Sequence, residues 1–528
     1  MLSLTKQSIV QNKSKWQEKG FNLPAFDIEK VSQDTYKNPR WLHFGPGNIF
    51  RAFPALAMQK LLNAGKADKG IIVCETFDEE IIESSLTPYD NLTCAVTLKT
   101  NGEVSYDIVA SITESLTLTK NKDRLVEIFK NPSLQMVSFT ITEKGYATHD
   151  TNGNVLAYID AEAKGLPQDA KTVPAVVAYL ALQRFNAGAT PITLVSMDNC
   201  ADNGDLLKKA VLYIANAWQG AGHVPQEFVS YLNSLAYPVS MIDKITPHPS
   251  DKVVTMLSNL GFANTIISRT SKNSVAASFV NGEESEYLFI EDNFVNGRPP
   301  LHEAGVVFTD RETVTNVEKM KVGACLNPLH TIIAVFGSIL GYQTVSKAME
   351  NKGLVKILQT AGYKESLPFV PNPKVITPKD FLDTVLEVRF PNPFIPDMPQ
   401  RIATDTSLKI PVRFGEVLKT MKKDGFDITT LDAIPFFVAG WFRYLTQLDD
   451  NGEKFNLSPD PMLPQLLPIF EGYSLGDTGL NDDAKKLLTN EAIFGINLVE
   501  AGLLDKIESS FNKLLSAKGA VEKSIDEF

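Results

Sequence analysis

Apolar positions along the chain fall into two rhythms. Up to about residue 310, short apolar runs alternate with longer helical patterns; beyond it the short runs thin out. Trp41-Leu42-His43-Phe44 reads as a short buried strand ending at Gly45. A helical pattern follows through Ala52, Leu56, Met58, Leu61 and Leu62, then a second strand at Gly70–Cys74. Strand, glycine turn, helix and strand make a βαβ unit. Further strands are expected at Cys94–Leu98, Met136–Ile141 and Ile192–Ser196, with helices at Pro174–Arg184 and Ala210–Trp218. Such alternation predicts a largely parallel, doubly wound α/β sheet.

The first 40 residues are polar, broken by Pro24 and Pro39, and are expected to wrap the surface of this domain. After the boundary, helices are expected at Thr331–Tyr342, Asp380–Val388, Pro411–Met421, Ala433–Leu445 and Asp483–Leu487. Arg389–Arg401 and Asp449–Asp460 read as loops. The expected organisation is an N-terminal α/β domain over residues 1–310 and a mostly α-helical domain over 311–528.

Composition narrows the function classes. The 528 residues suggest two to four domains, and the net charge of −11 has the wrong sign for a general nucleic-acid binder. Cys74, Cys94, Cys200 and Cys325 form no C-x-x-C pair, so neither a structural zinc nor a thioredoxin-like motif is expected, and a reducing compartment is. The N-terminus carries no apolar signal core, and no membrane span is read. The expectation is a large, acidic, cytoplasmic enzyme.

Several segments could carry its chemistry. In HFGPGNIFRAF, His43 to Phe53, Gly45 and Gly47 permit a tight turn and close approach of a pyrophosphate to backbone N–H groups. Phe50 stands where G-x-G-x-x-G would place its third glycine, and an ordinary turn explains a lone G-x-G equally well. Arg51 is a candidate phosphate cation. Glu75, at the next strand end with Asp78 close behind, suits the adenosine ribose hydroxyls and repels a 2′-phosphate, favouring NAD over NADP. Thr142, Glu143 and Gly145 follow one strand, and Asp198 and Asn199 follow another, where a ligand crevice or a plain turn is expected.

In the helical half, Asn327 and His330 share a helix face, with Pro328 in the first turn and Asn327 as its cap. Lys321 and Lys319 precede that helix start, and a desolvated lysine can act as general acid–base. Arg401, Lys409 and Arg413 cluster around a proline-rich loop, suiting an anionic or polyhydroxylated ligand or a salt-bridged surface. The G-x-S-x-G match centred on Ser474 lacks the strand and helix of a nucleophile elbow. No ligand cluster suggests a metal.

Together these segments resemble the polyol-specific long-chain dehydrogenases, the mannitol dehydrogenase and uronate reductase family. The resemblance rests on HFGPGNIFRAF, TITEKGY, SMDN, PVSMIDKITP, VEKMK…LNPLH and the RF-x-NP…D…RI…D-x-S-x-K-x-P-x-R string, in the family's order over about residues 41–445. It implies an N-terminal Rossmann-type domain, a helical C-terminal domain and a metal-independent active site drawing on both. The family's Lys–Asn–His signature falls on Lys321, Asn327 and His330. Lys321 precedes Asn327 by six positions, where the family commonly uses five, so a helical bulge is expected to absorb one residue. Glu318 is the implied proton relay, Asn199 the second active-site asparagine, and Lys319 the alternative to Lys321.

Arg401, Lys409 and Asp243 are implied to bind substrate. Gly45, Gly47, Asn48, Arg51, Glu75 and Glu143 are implied to bind NAD. The long N-terminal lead and the W-x-HFG-x-GNIFR form look more like the uronate-reductase branch, so the expected reaction is NAD-dependent, reversible reduction of D-fructuronate to D-mannonate. Mannitol and tagaturonate chemistry are the alternatives within the family. A non-catalytic nucleotide sensor is the alternative outside it, supported by the altered Lys–Asn spacing. The expected partner is a small sugar acid or polyol, with neither nucleic acid nor membrane, in a monomer or small homo-oligomer.

Overall fold

The computed structural model describes residues 1–150 and 153–528. Two compact units appear, Met1–Thr315 and Asn316–Phe528.

The first unit is built on five parallel strands: β1 (Trp41–Phe44), β2 (Ile71–Glu75), β3 (Ile112–Thr117), β4 (Met136–Phe139) and β5 (Thr193–Ser196). Their order is β3-β2-β1-β4-β5. The chain steps outward from β1 to β3, then returns to place β4 on the other side of β1. That reversal is the switch point at which open α/β sheets bind ligands, beyond the carboxyl ends of the strands. Both faces are covered, as parallel strands require. Leu42, Phe44, Ile72 and Cys74 point into one core with helices Leu118–Lys130, Val173–Asn186 and Asn203–Gly220. Trp41, Ile71, Val73 and Met136 point into the other with helix Pro54–Asn63.

Two expectations need correction. Cys94–Leu98 is a strand, Thr93–Leu98, but it lies outside the doubly wound sheet. It pairs antiparallel with Val104–Val109 and parallel with Phe279–Glu283 in a separate mixed sheet. A buried strand's apolar run looks the same in either sheet; only the long-range partner differs. The N-terminal 40 residues do more than wrap a surface. Phe21–Asn22 adds a strand to that mixed sheet, and Trp16 is buried against Phe21 and Phe262.

The second unit is helical. Helix Ala433–Leu445 is buried along its whole length. Phe336, from helix Asn327–Ile339, stacks on Phe436, and any Cβ at Gly440 would strike the Phe336 ring. Four π-helical stretches interrupt this unit: Lys321–Cys325, Thr360–Ser366, Val385–Arg389 and Pro411–Gly415. At Pro411 the cause is direct, since proline offers no N–H to continue the preceding helix Thr406–Ile410. The helical run Arg311–Ile339 is long and apolar enough to cross a membrane by length and composition, yet 83% of its apolar window is buried inside the protein, as for a core helix.

Candidate active site

In the first unit the chemistry gathers past the carboxyl ends of β1, β2, β4 and β5. Gly45 turns the chain after β1 at φ +84°, and a Cβ there would run into the Thr140 carbonyl oxygen after β4. Only glycine fits that close approach. Gly47 differs: a Cβ would meet nothing nearer than the Gly45 oxygen at 3.9 Å, so the fold leaves that side of the turn open. His43 sits beneath the turn, its Nδ1 2.7 Å from Ser138 Oγ and its Nε2 3.0 Å from Thr140 Oγ1. Burial pushes its pKa down to about 3, so the ring is neutral. Phe50 stacks on it with ring centres 3.5 Å apart. The position where the fingerprint would have a third glycine thus holds an aromatic that packs the short helix onto β1.

Glu75 ends β2 with its carboxylate folded over the following loop. Its Oε1 accepts backbone N–H bonds from Thr76, Phe77 and Asp78 at 3.0, 2.9 and 3.3 Å. Burial nevertheless raises its pKa, against those three bonds. Asp198, after β5, clamps the neighbouring strand end. It accepts the N–H groups of Ile141 (2.9 Å) and Thr142 (2.8 Å) and the Tyr146 hydroxyl (2.5 Å). This holds Thr142 at φ +65°, a strained conformation for a β-branched residue. Asn199 lies exposed just beyond, Glu143 is exposed in the adjoining turn, and Asp243 is buried at the end of strand Ser240–Asp243.

In the second unit the chemistry is carried by the helical irregularities. Lys321 opens the first π-helical stretch and is 2% exposed, whereas Lys319, two residues earlier, is exposed. The wider π turn houses the sixth residue before Asn327, so the expected bulge is present. Asn327 begins the next helix, which Leu326 rather than Asn327 precedes as cap residue, and Pro328 sits in its first turn. Arg413, on another π stretch, donates to the Asn327 carbonyl oxygen (3.1 Å) and to Thr331 Oγ1 (2.6 Å), tying that helix start in place.

His330 lies one turn on. Its Nε2 is 3.1 Å from Asp397 Oδ2, and its ring stacks on Phe390 at 4.8 Å. Burial lowers the His330 pKa against the pull of Asp397. The other oxygen of Asp397 accepts from Arg401 through Nε (3.1 Å) and Nη2. The Asp397 carboxyl titrates low: burial opposes this, and the His330 and Arg401 contacts outweigh it. Arg401 remains 68% exposed, so its fork is oriented at one edge and presented at the other. Lys409 Nζ donates to the carbonyl oxygens of Ile402 (2.9 Å) and Thr404. Burial, then the nearby Arg413 charge, lowers its pKa to about 8.

Comparison with known proteins follows this division. Residues 39–303 match the mannitol dehydrogenase Rossmann domain, and residues 313–515 match the mannitol dehydrogenase C-terminal domain. The chain belongs to the mannitol dehydrogenase family. It is 44% identical over 526 residues to D-mannonate oxidoreductase of Thermotoga maritima, covering 98% of this chain and 97% of that protein. Among solved structures, a Pseudomonas fluorescens mannitol 2-dehydrogenase ternary complex with NAD and D-mannitol aligns with a TM-score of 0.73 at 26% identity, over 99% of each chain. A substrate-free D-sorbitol dehydrogenase shares the fold, with a TM-score of 0.79 at 24% identity over 95% of this chain and 97% of its own.

Within this mannitol dehydrogenase family oxidoreductase, one expected site residue must be corrected. Arg51 does not reach solvent as a phosphate cation. It is 1% exposed, and its guanidinium donates to the Ala277 carbonyl (2.9 Å) and to Asn48 Oδ1 (3.3 Å). Asn48, the first residue of helix Asn48–Ala52, is therefore its partner. Ser474 lies in a loop between helices Leu463–Phe470 and Asp482–Leu487, with no strand before it and no helix straight after it. Among the described residues no group of His, Cys, Asp and Glu side chains could hold a metal. Sequence reasoning missed Asp397, which links His330 to Arg401. Its only signal was its place four residues before Arg401, in a segment that reads as a loop and precedes helix Pro399–Ile402.

Proposed function

We propose that this enzyme reduces D-fructuronate to D-mannonate, reversibly, with NADH as hydride donor. The observation that carries the reading is Lys321. It is a buried amine on a π turn, followed by Asn327 and by the Asp397-held His330 one helical turn further on. The 44% identity to a D-mannonate oxidoreductase over nearly the whole chain supports the sugar acid over a neutral polyol.

The first unit fits a dinucleotide. Gly45 satisfies the fold, while the surface at Gly47 stays open at the switch point, and Glu75 lies at the end of β2 with its Oε1 held by the loop. Gly45, Gly47, Asn48, Glu75 and Glu143 are assigned to hold NAD. When bound, the nicotinamide supplies the hydride. The acid at Glu75 favours NAD over NADP, in keeping with the NAD held by the P. fluorescens relative in its ternary complex.

As hydride reaches the ketone carbon, negative charge grows on its oxygen. The side-chain amides of Asn327 and Asn199 are assigned to that oxygen. Lys321 gives it a proton, and takes the proton back in the oxidative direction, with Glu318 relaying to solvent. His330, fixed by Asp397, orients substrate hydroxyls. Arg401, Lys409 and Asp243 hold the remainder of the open-chain acid, with Arg401 facing its carboxylate.

A panel of D-fructuronate, D-tagaturonate and D-fructose, each with NADH and with NADPH, tests the proposal. Fastest turnover is expected with D-fructuronate and NADH. Preference for D-fructose would return the enzyme to mannitol chemistry, and absence of turnover with all three would overturn the reading.

A further inference from the structure

The loop after β2 carries a feature that the proposed reaction does not use. Phe77, two residues past Glu75, is 71% exposed, yet the loop around it is pinned at many points. Three consecutive residues at the tip of the hairpin formed by Ile267–Arg269 and Val275–Ala277 reach into it. Thr270 Oγ1 donates to Asp78 Oδ2 (2.6 Å). The Ser271 N–H donates to Glu80 Oε2 (2.9 Å), and its hydroxyl to Oε1. Lys272 donates to the Phe77 carbonyl oxygen and places its ammonium 4.0 Å from the Phe77 ring centre. From the other side, the Thr119 N–H binds Glu79 Oε1 (2.9 Å). The acids at 78, 79 and 80 are thus taken up by neighbouring elements, while the one large apolar side chain of the loop is turned outward.

A loop this well tied has no need to expose an aromatic ring for want of order. The ring is steadied by a cation–π contact and by the lock on its own carbonyl. Two residues of chain span at most about 7 Å, the reach from a ribose hydroxyl at Glu75 to the base on the same sugar. Purine faces stack on aromatic rings whatever their edges carry. We propose that Phe77 is the platform on which the adenine of the dinucleotide stacks, and that the Thr270–Lys272 hairpin tip is the clamp that holds it in position. This rests on the dinucleotide site proposed for the first unit.

Calorimetric titration of the full chain with ADP-ribose, NADH and reduced nicotinamide mononucleotide tests it. Phe77→Ala is expected to weaken ADP-ribose and NADH by about 10- to 100-fold. Reduced nicotinamide mononucleotide, which lacks adenosine, should bind it as it binds wild type. Phe77→Trp should restore ADP-ribose affinity. Lys272→Met, which loosens the clamp but keeps the ring, should weaken ADP-ribose by a smaller factor. ADP-ribose binding to Phe77→Ala within twofold of wild type would overturn the inference, as would equal loss of the mononucleotide. If wild type binds neither NADH nor ADP-ribose, the dinucleotide reading falls and takes this inference with it.

Discussion

Two arginines, Arg51 and Arg401, show how differently the two units use charge. Arg51, in the first unit, is buried and spent on a backbone carbonyl and on Asn48 at the start of its own helix. Two carboxylates at the strand ends also bind backbone: Glu75 gathers three N–H groups and Asp198 two. Around the switch point these side chains fix the backbone, while the turn at Gly47 is left open. In the second unit Lys409 and Arg413 also hold backbone, but one cluster joins charged and titratable side chains and stays partly presented. Asp397 is shared between His330 and Arg401, and Arg401 keeps most of its side chain in solvent. Helical irregularity takes the place of the glycine turn there: a π stretch opens on the buried Lys321 and ends at Leu326, the cap residue of the next helix. The contrast is between a charge spent inside the fold, at Arg51, and one that stays presented, at Arg401.

The largest effect should come from the second unit. Lys321→Met is expected to lower the rate of ketone reduction by about 10²- to 10⁴-fold, with NADH affinity kept, while Lys319→Met stays near wild type. Steady-state turnover beside an NADH titration checks both, and the reverse ranking would move the proton to Lys319. The first unit makes a split prediction. Gly45→Ala should destabilise the fold by about 1–3 kcal/mol from left-handed strain alone, with the clash on Thr140 added. Gly47→Ala should melt like wild type yet bind NADH about 10- to 100-fold more weakly, as backbone bonds to phosphate are displaced. Thermal melts with NADH titrations measure the split; equal stability loss in both variants would remove the argument for an open turn.

A smaller effect is expected from pH. Lys409 titrates at about 8, below the ordinary lysine value of 10.5, because burial and then Arg413 disfavour its charge. As pH rises through 8 the ammonium is lost, and KM for the sugar acid should climb by at most about tenfold per pH unit. Its effect on stability has the opposite sign. Between pH 8 and 10.5 the unfolded chain binds more protons at this group, so the cost of its burial, fully present below pH 8, is relieved. A flat KM profile from pH 7 to 9.5, across that titration, would take Lys409 out of substrate binding.

Much of this was legible in the sequence, for identifiable reasons. The switch-point strands read correctly because their apolar runs are bounded by Gly45, Glu75 and the Asp198 turn. Helix Ala433–Leu445 was readable to the residue because its length and apolar content leave no other element. Thr93–Leu98 was visible as a strand but not as part of a second sheet, since pairing with Phe279–Glu283 lies far along the chain. The π stretches have no periodic signature; only the extra residue before Asn327 hinted at one. The fate of Arg51 was hidden because its partner, the Ala277 carbonyl, is remote in sequence and a backbone atom carries no letter. Asp397 stands four residues before Arg401 but in the loop ahead of helix Pro399–Ile402, so neither that contact nor its second, to His330, was signalled by a helical pattern.

Whether the charge presented by the second unit selects a sugar acid is read most directly from one ratio. It is kcat/KM for D-fructuronate over that for D-fructose, measured with NADH in wild type and in Arg401→Ala. Wild type should favour the acid, and losing a charge-assisted contact of about 1.5–3 kcal/mol should shrink the ratio by roughly 10- to 100-fold, almost entirely through the acid. A ratio that Arg401→Ala leaves unchanged, or a wild type that prefers D-fructose, would contradict it.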